Sequence, residues 1–255
     1  MPAAAPSYPL GPYRFINREF MIVTYETDPV ALRAAVPEPL EPNTDNLVLY
    51  EWIKMPDSSG FGDYTESGIV IPCTFNGEPI NYTAQMYLDD QPPIDGGREI
   101  WGFPKKYALP KLIVASDTLT GTLSYAGQTV AMGTMAYKWA EAPGGCEAQA
   151  QSMTKTSCNL KIIPDVDGSP KICQLVAYNL EDITVKGSWV IPARLLGALE
   201  PGGQPVAVGG GRDPGCLDLG EDGAGDVHDG VLFDDAIGVH HIDGEIEAST
   251  CAFAE

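Results

Sequence analysis

Short runs in which apolar and polar residues alternate recur along most of the chain. Residues 47–55 read LVLYEWIKM, and a period of two is typical of a strand with one buried face. Similar runs, rich in β-branched and aromatic residues, occupy residues 13–27, 68–75, 80–88, 111–115, 118–125, 130–139, 159–163, 171–178 and 183–189. The pattern predicts many short strands.

Turn signals containing glycine separate these runs, among them Asn76-Gly77 and Ala126-Gly127. One short helix is predicted, with Asp28 as its N-cap, Pro29 at its first position and its end near Ala35. Many short strands with few helices favour an antiparallel barrel or sandwich over a doubly wound parallel sheet.

Length and charge narrow the class of protein. A chain of 255 residues fits one large domain, and its formal net charge of −20 disfavours binding to nucleic acid or to an anionic membrane surface. The N-terminal residues lack the pattern of a signal peptide, and no apolar run has the length of a membrane span. The six cysteines lack Cys-x-x-Cys spacing, so we expect free thiols and a cytoplasmic protein.

One stretch, residues 97–111, places two adjacent lysines among apolar and aromatic residues. Pro104 precedes Lys105 and Lys106, and Pro110 follows them, so the backbone is restrained on both sides. A lysine that leaves water loses part of the stability of its charged form, and its neutral, nucleophilic fraction rises. Neighbouring residues of an extended chain point to opposite faces, so only one of the two can enter a given pocket. The expected wall of that pocket comprises Trp101, Phe103, Tyr107 and Met86.

The run Trp101-Gly102-Phe103-Pro104-Lys105-Lys106-Tyr107-Ala108 resembles the lysine motif of the acetoacetate decarboxylase family. Further segments agree in order and spacing over roughly residues 8 to 195: 11–15 (GPYRF), 17–19 (NRE), 36–40 (VPEPL), 64–68 (YTESG) and 161–170 (KIIPDVDGSP). The resemblance implies a mainly β (α+β) fold, an antiparallel β-barrel with a few short helices, and a homo-oligomer that needs no cofactor.

The same resemblance assigns roles to four charged residues. Lys105, the first lysine of the pair, is implied to form a Schiff base with a β-keto acid. Lys106 is a fifth catalytic candidate, because a second positive charge beside Lys105 favours the neutral form of its amine unless Lys106 points away. Glu66 is implied to lie beside the lysine amine, assisted by Glu51, and Arg18 to hold the substrate carboxylate or support a catalytic acid. From the pattern alone, Glu51 equally fits a solvent-facing position and Arg18 a surface ion pair with Glu19.

Other catalytic classes lack their residues. All three histidines lie after residue 227, which disfavours a Ser-His-Asp or Cys-His site and a zinc site in the body of the chain. Ser152 and Lys155 fit the Ser-x-x-Lys pattern of acyl-transfer enzymes, but the partner motifs are missing. We therefore expect no metal.

Three functions remain open. The first is decarboxylation of acetoacetate, or a related β-keto acid, to acetone and carbon dioxide through a lysine Schiff base. The second keeps the Schiff base but couples it to aldol addition and dehydration of larger oxo acids. The third is a non-catalytic barrel that binds a small apolar carboxylate, anchored by Arg18.

The character of the chain changes near residue 195. Residues 201–255 contain 12 of the 35 acidic residues, 12 of the 28 glycines and no lysine, and the resemblance to the family stops abruptly. We therefore expect a decarboxylase-like domain at 1–195 and a divergent, acidic, glycine-rich tail at 196–255. A shifted reading frame near residues 196–206 is the favoured hypothesis for that tail, and the mass of the intact protein tests it.

Overall fold

Strands dominate the computed structural model, which describes residues 3–199, 205–206, 228–240 and 245–246. Its first eight strands are β1 (Tyr13–Glu26), β2 (Glu41–Pro42), β3 (Leu47–Ser58), β4 (Gly62–Phe75), β5 (Glu78–Leu88), β6 (Lys105–Tyr107), β7 (Leu109–Ala115) and β8 (Thr118–Tyr125). The others in the described part are β9 (Gln128–Ala136), β10 (Ser157–Pro164), β11 (Pro170–Leu196), β12 (Ala198–Leu199), β13 (Pro205–Val206), β14 (His228–His240) and β15 (Glu245–Ile246). The helices are α1 (Pro29–Ala35), α2 (Gln91–Gly96), a π-helical turn (Gly97–Trp101) and α3 (Gly145–Met153).

One large sheet holds most of the strands in the order β10-β5-β4-β3-β1-β14-β11-β9-β8-β7. Neighbours along this path are antiparallel except β10 and β5, which run parallel, as do β5 and β6 at the side of the path. Strand β10 also pairs with the first part of β11. The mainly β class with few helices is therefore confirmed.

The tight turns follow the predicted signals. Asn76-Gly77 joins β4 to β5 and Ala126-Gly127 joins β8 to β9, and both residues of each pair have positive φ. Such two-residue connections match the twist of the strands they join, and glycine adopts positive φ without steric cost. The predicted strands before residue 195 are found near their expected positions, which shows how strongly local pattern determines this part of the fold.

Helix α1 confirms the predicted start at Asp28. A carboxylate oxygen of Asp28 accepts hydrogen bonds from the backbone N–H groups of Val30 and Ala31 at 3.0 and 2.9 Å, as an N-cap does. Helices α2 and α3 and the π-helical turn were not predicted. The runs 171–178 and 183–189, expected to be separate strands, belong to the single long strand β11, which is interrupted at Asp182 by a positive φ of 55°.

Alternation along β3 divides two apolar regions. Tyr50 and Trp52 point into the main core, where Trp52 packs closely against Gly121 and Gly133 on β8 and β9. Glu51 and Ile53, each the residue after one of these, point to the opposite face of the sheet and line the cavity there. A single strand thus fixes both the core and the wall of an internal cavity.

The acidic tail lies mainly outside the described residues. Within it, the backbone of β14 runs antiparallel between β1 and β11. The division at residue 195 and the shifted reading frame remain predictions.

The expectation of free thiols is only partly met. Cys73, Cys146 and Cys158 are free, whereas Cys173 forms a disulfide, so the expectation is wrong for Cys173. No helix within the described ranges combines the length and apolar character that crossing a membrane requires.

Candidate active site

A π-helical turn positions the lysine pair. It follows α2 directly and ends at Gly102, whose φ is +72°, and the N–H of Phe103 closes it by donating to the carbonyl of Gly97 at 3.0 Å. A side chain at Gly102 would place its Cβ 2.4 Å from Cβ of Lys161, so β10 approaches only because glycine stands there. Pro104 cannot continue a helix, and β6 starts immediately after it.

Side chains from β10 and from the turn itself satisfy the backbone carbonyls near the lysine. Asn159 donates to the carbonyl of Trp101 and Lys161 donates to that of Ile100, each at 3.1 Å. Arg98 donates to the carbonyl of Lys105 at 2.9 Å. These contacts satisfy groups that a helix end leaves unpaired, and they hold the start of β6 in place.

Lys105 points inward and Lys106 points outward. Lys105 is 7% exposed and pairs with Met86 of β5, whereas Lys106 is exposed. The expectation that one lysine enters the pocket is met by the first of the pair. Lys106 does not line the cavity, so its placement does not support the catalytic role assigned to it.

The amine of Lys105 contacts Glu66 of β4. Its Nζ lies 2.6 Å from Oε1 of Glu66, and both side chains are almost fully buried. The contact is a close ion pair without the angles of a hydrogen bond. Nζ also lies 5.0 Å from the ring centroid of Phe103, within the range of a cation–π contact.

Gly97 makes room for the lysine stem. A Cβ at this position would lie 2.6 Å from Cδ and 3.0 Å from Cε of Lys105. Atoms do not approach so closely, so any other residue would displace the stem. The path of Lys105 into the cavity therefore depends on this glycine.

Arg18 enters the same cavity from β1. The pairing of β1 with β14 shifts register between Ile16 and Arg18, and Asn17 between them has a positive φ of 56°. Such a bulge redirects the following side chain, and Arg18 is 5% exposed with its guanidinium 4.7 Å from the ring centroid of Phe20. The structure thus excludes the surface position that the sequence pattern left open for Arg18.

Glu51 also lines the cavity, on the strand next to Glu66. The Glu51 side chain is partly exposed, and its exposed part faces the cavity, which protein surrounds. Burial raises the pKa of Glu51 to about 7; the nearby negative charge of Glu66 adds to this rise, and Arg18 opposes it. The solvent-facing alternative for Glu51 is therefore wrong.

The raised pKa predicts a pH-dependent stability. Between pH 4.5 and 7 the folded protein retains the Glu51 proton that the unfolded chain releases. The contribution of Glu51 to the free energy of unfolding should therefore fall as pH rises through this range, by up to about 3 kcal/mol. Glu51→Gln should remove this part of the pH dependence in urea unfolding. The exposed Glu26→Gln is the matched control, and equal slopes for Glu51→Gln and the unchanged protein would contradict the assignment.

The cavity between these strands has a volume of about 280 Å³. Of the predicted wall residues, Trp101, Phe103 and Met86 line it. Tyr107 does not: it is 58% exposed, and its inclusion in the pocket is corrected. The physical reason is that β6 has only three residues and pairs with β5 alone among the described strands, so nothing covers Tyr107 at its end.

Several lining residues were missed by sequence reasoning. They come from strands and from the segment around α3, and no functional motif of this family marks them: Thr83, Met153, Ser157 and Tyr178. Lys155 also lines the cavity, and the sequence marked it only as part of a Ser-x-x-Lys pattern. Burial raises the pKa of the Tyr178 phenol, against hydrogen bonds with Thr83 and Ser157, so the phenol remains protonated. These residues give the cavity a polar region besides the charged cluster.

Known proteins are similar to this chain in sequence and in fold. The family model described as "Acetoacetate decarboxylase (ADC)" matches residues 1–206. The acetoacetate decarboxylase of Ralstonia nicotianae is 58% identical over 196 residues, which cover 76% of this chain and 78% of the relative. That of Paraburkholderia phytofirmans is 57% identical over 195 residues, 76% of each chain.

A solved structure agrees as well. The crystal structure of acetoacetate decarboxylase from Legionella pneumophila is 40% identical, with a TM-score of 0.77 over 96% of this chain and 92% of that one. The match of the family model, the identity of the curated relatives and the shared fold all lead to the same conclusion. This chain belongs to the acetoacetate decarboxylase family.

Proposed function

We propose that this carboxy-lyase decarboxylates acetoacetate through a Schiff base on Lys105. The observation that carries the proposal is the buried amine of Lys105, 2.6 Å from Glu66 and beside an apolar wall. Burial limits the contact of the amine with water, and the adjacent carboxylate can accept the proton that the amine loses before it attacks. Both conditions favour attack on a ketone.

The reaction balances without a cofactor. The neutral amine attacks the ketone carbon, and loss of water gives a protonated imine. The electron pair of the bond between the α-carbon and the carboxylate moves into the iminium, which releases carbon dioxide and leaves an enamine. Protonation at carbon followed by hydrolysis yields acetone and returns the free amine of Lys105.

Each charged neighbour supports one step. Glu66 takes up and returns the proton of Lys105, because it lies in contact with the amine. Burial raises the pKa of Glu51 to about 7, so this residue can hold a proton near neutrality; because it lines the same cavity, we assign it the protonation of the enamine. Arg18 attracts the substrate carboxylate and lowers the repulsion between the two glutamates.

Borohydride trapping tests the proposal. The protein is incubated with acetoacetate, reduced and digested, and added mass is sought on the peptide that spans Arg98 to Lys111. We expect a substrate-dependent adduct on Lys105, with carbon dioxide release in the unreduced sample. Circular dichroism establishes that the sample is folded.

Other outcomes favour the other functions. An adduct without carbon dioxide release, together with condensation of an oxo acid and an aldehyde, would favour aldol addition and dehydration. A folded protein that binds acetoacetate but gives no adduct would contradict the Schiff base and favour a binding module anchored by Arg18.

Closure of the sheet into a barrel is a further part of the proposal. It is supported by the pairings of β10, which joins β5 on one side and β11 on the other, while β4, β3, β1 and β14 link those two strands. Hydrogen exchange measures it: slow exchange is expected on both edges of β10, and fast exchange on one edge would contradict closure.

Assembly and location complete the proposal. A homo-oligomer is supported by exposed apolar side chains on β7, Leu109, Ile113 and Val114, at one end of the sheet order. Light scattering should give a mass above that of one chain, and Ile113→Lys should lower it.

The free thiols of Cys73 and Cys158 favour the cytoplasm and the disulfide of Cys173 does not, so cell fractionation is the test.

A further inference from the structure

The cavity extends well beyond the reacting lysine. Met86 pairs with Lys105, and Asn81, five residues earlier on β5, lines the same cavity. At about 3.3 Å per residue, the two positions are separated by roughly 16 Å along the strand. On the ketone side acetoacetate carries a single methyl group, which cannot fill this length.

A third cation, outside the cluster of Lys105 and Arg18, lies in the wall at the far end. Lys155 is half-buried and lines the cavity two residues before Ser157, which pairs with Asn81. Within the described part of the chain, the Lys155 amine has no ion pair or hydrogen bond. The acidic residues that line the cavity, Glu51 and Glu66, belong to the cluster around Lys105.

Polar groups connect the two regions. The phenol of Tyr178 lies close to the hydroxyls of Thr83 and Ser157, and all three residues line the cavity. Thr83 lies between the level of Lys105 and that of Asn81, whereas Ser157 and Tyr178 lie at the level of Asn81. A volume of about 280 Å³ is also far larger than the ~10–15 Å³ that one water needs. The distal region thus combines room with polar side chains and an unneutralised positive charge.

We infer that the cavity also accepts β-keto acids whose ketone-side chain ends in a second carboxylate, which Lys155 and Asn81 bind. An ammonium and an amide N–H donate charge-assisted hydrogen bonds to a carboxylate. The carboxylate next to the ketone leaves as carbon dioxide, as with acetoacetate, and the distal carboxylate stays on the product, a keto acid. The inference rests on the Schiff-base function proposed above and adds a substrate class to it.

Paired substrates test the inference. Carbon dioxide release above the rate without protein is measured for acetoacetate and for a series of β-keto diacids of increasing length, starting with 3-oxoadipate. In Lys155→Met, the ratio of kcat/KM for the preferred diacid to kcat/KM for acetoacetate should fall at least about tenfold, since a charged contact is lost. Lys155→Arg should retain most of that ratio, and the exposed Lys111→Met should leave it unchanged.

Two results would overturn the inference. One is an unchanged ratio in Lys155→Met, which would mean that the lysine acts on both substrates alike, for example by attracting anions to the cavity mouth. The other is a wild-type protein that decarboxylates acetoacetate but no diacid of the series. Inactivity toward acetoacetate and all diacids would instead overturn the proposed function together with the inference.

Discussion

Lys105→Met should lower kcat for acetoacetate by about 10⁴-fold or more, the scale seen when a covalent nucleophile is removed. Methionine has a similar length and suits the apolar surroundings, but it has no amine to form an imine. The lost interaction belongs to the chemical steps, so the effect should appear mainly in kcat. The rate of carbon dioxide release and the absence of a borohydride adduct are the measurements.

Lys111→Met provides the control for this variant. Lys111 lies on β7, six residues after Lys105, and is exposed, so its replacement removes one lysine without changing the cavity. We expect full activity from it and an unchanged circular dichroism spectrum from both variants. If Lys105→Met kept more than about a tenth of the activity while folded, the nucleophile would have to be another group.

The second large effect is expected for Glu66→Gln. The amide keeps the shape of the side chain but cannot accept the proton of Lys105, and loss of one acid–base group typically costs about 10²–10⁴-fold in rate. We expect kcat to fall in that range and the borohydride adduct to form more slowly. Stopped-flow measurement of carbon dioxide release together with timed trapping would separate slow imine formation from slow later steps.

Stability supplies a second measurement for the same variant. Removal of one partner of a buried ion pair usually costs about 3–5 kcal/mol, because the remaining charge is left uncompensated. Glu41→Gln, on the exposed first residue of β2, is the matched control and should change neither stability nor rate. A Glu66→Gln protein with wild-type kcat would contradict the role of Glu66 as proton carrier.

Much of the framework follows from local pattern. Alternation along β3 predicted a strand, and the Asn76-Gly77 signal predicted the hairpin after β4, because both depend on a few neighbouring residues. The cap at Asp28 is equally local. The order of strands in the sheet, by contrast, depends on contacts between distant segments, and the sequence pattern does not contain it.

The candidate site likewise has residues that the sequence predicted and residues that it did not. The apolar surroundings of Lys105 marked it from sequence, and the resemblance to the family supplied Glu66, Glu51 and Arg18. Tyr107 was assigned to the pocket because it is one of the aromatic residues around the lysine pair, but the cavity ends before it. Lys155 was noticed only within a Ser-x-x-Lys pattern, since its approach to the cavity results from the pairing of β10 with β5.

The space above Gly97 limits how such a site can be transplanted. The lysine stem occupies the space that a Cβ at residue 97 would fill, so the site requires glycine in the segment opposite the nucleophile. Designers who place a lysine and a glutamate in a different protein would therefore need to remodel the facing helical turn first. For the same reason, we expect little natural sequence variation at residue 97, although the single hydrogen of its side chain takes no part in the chemistry.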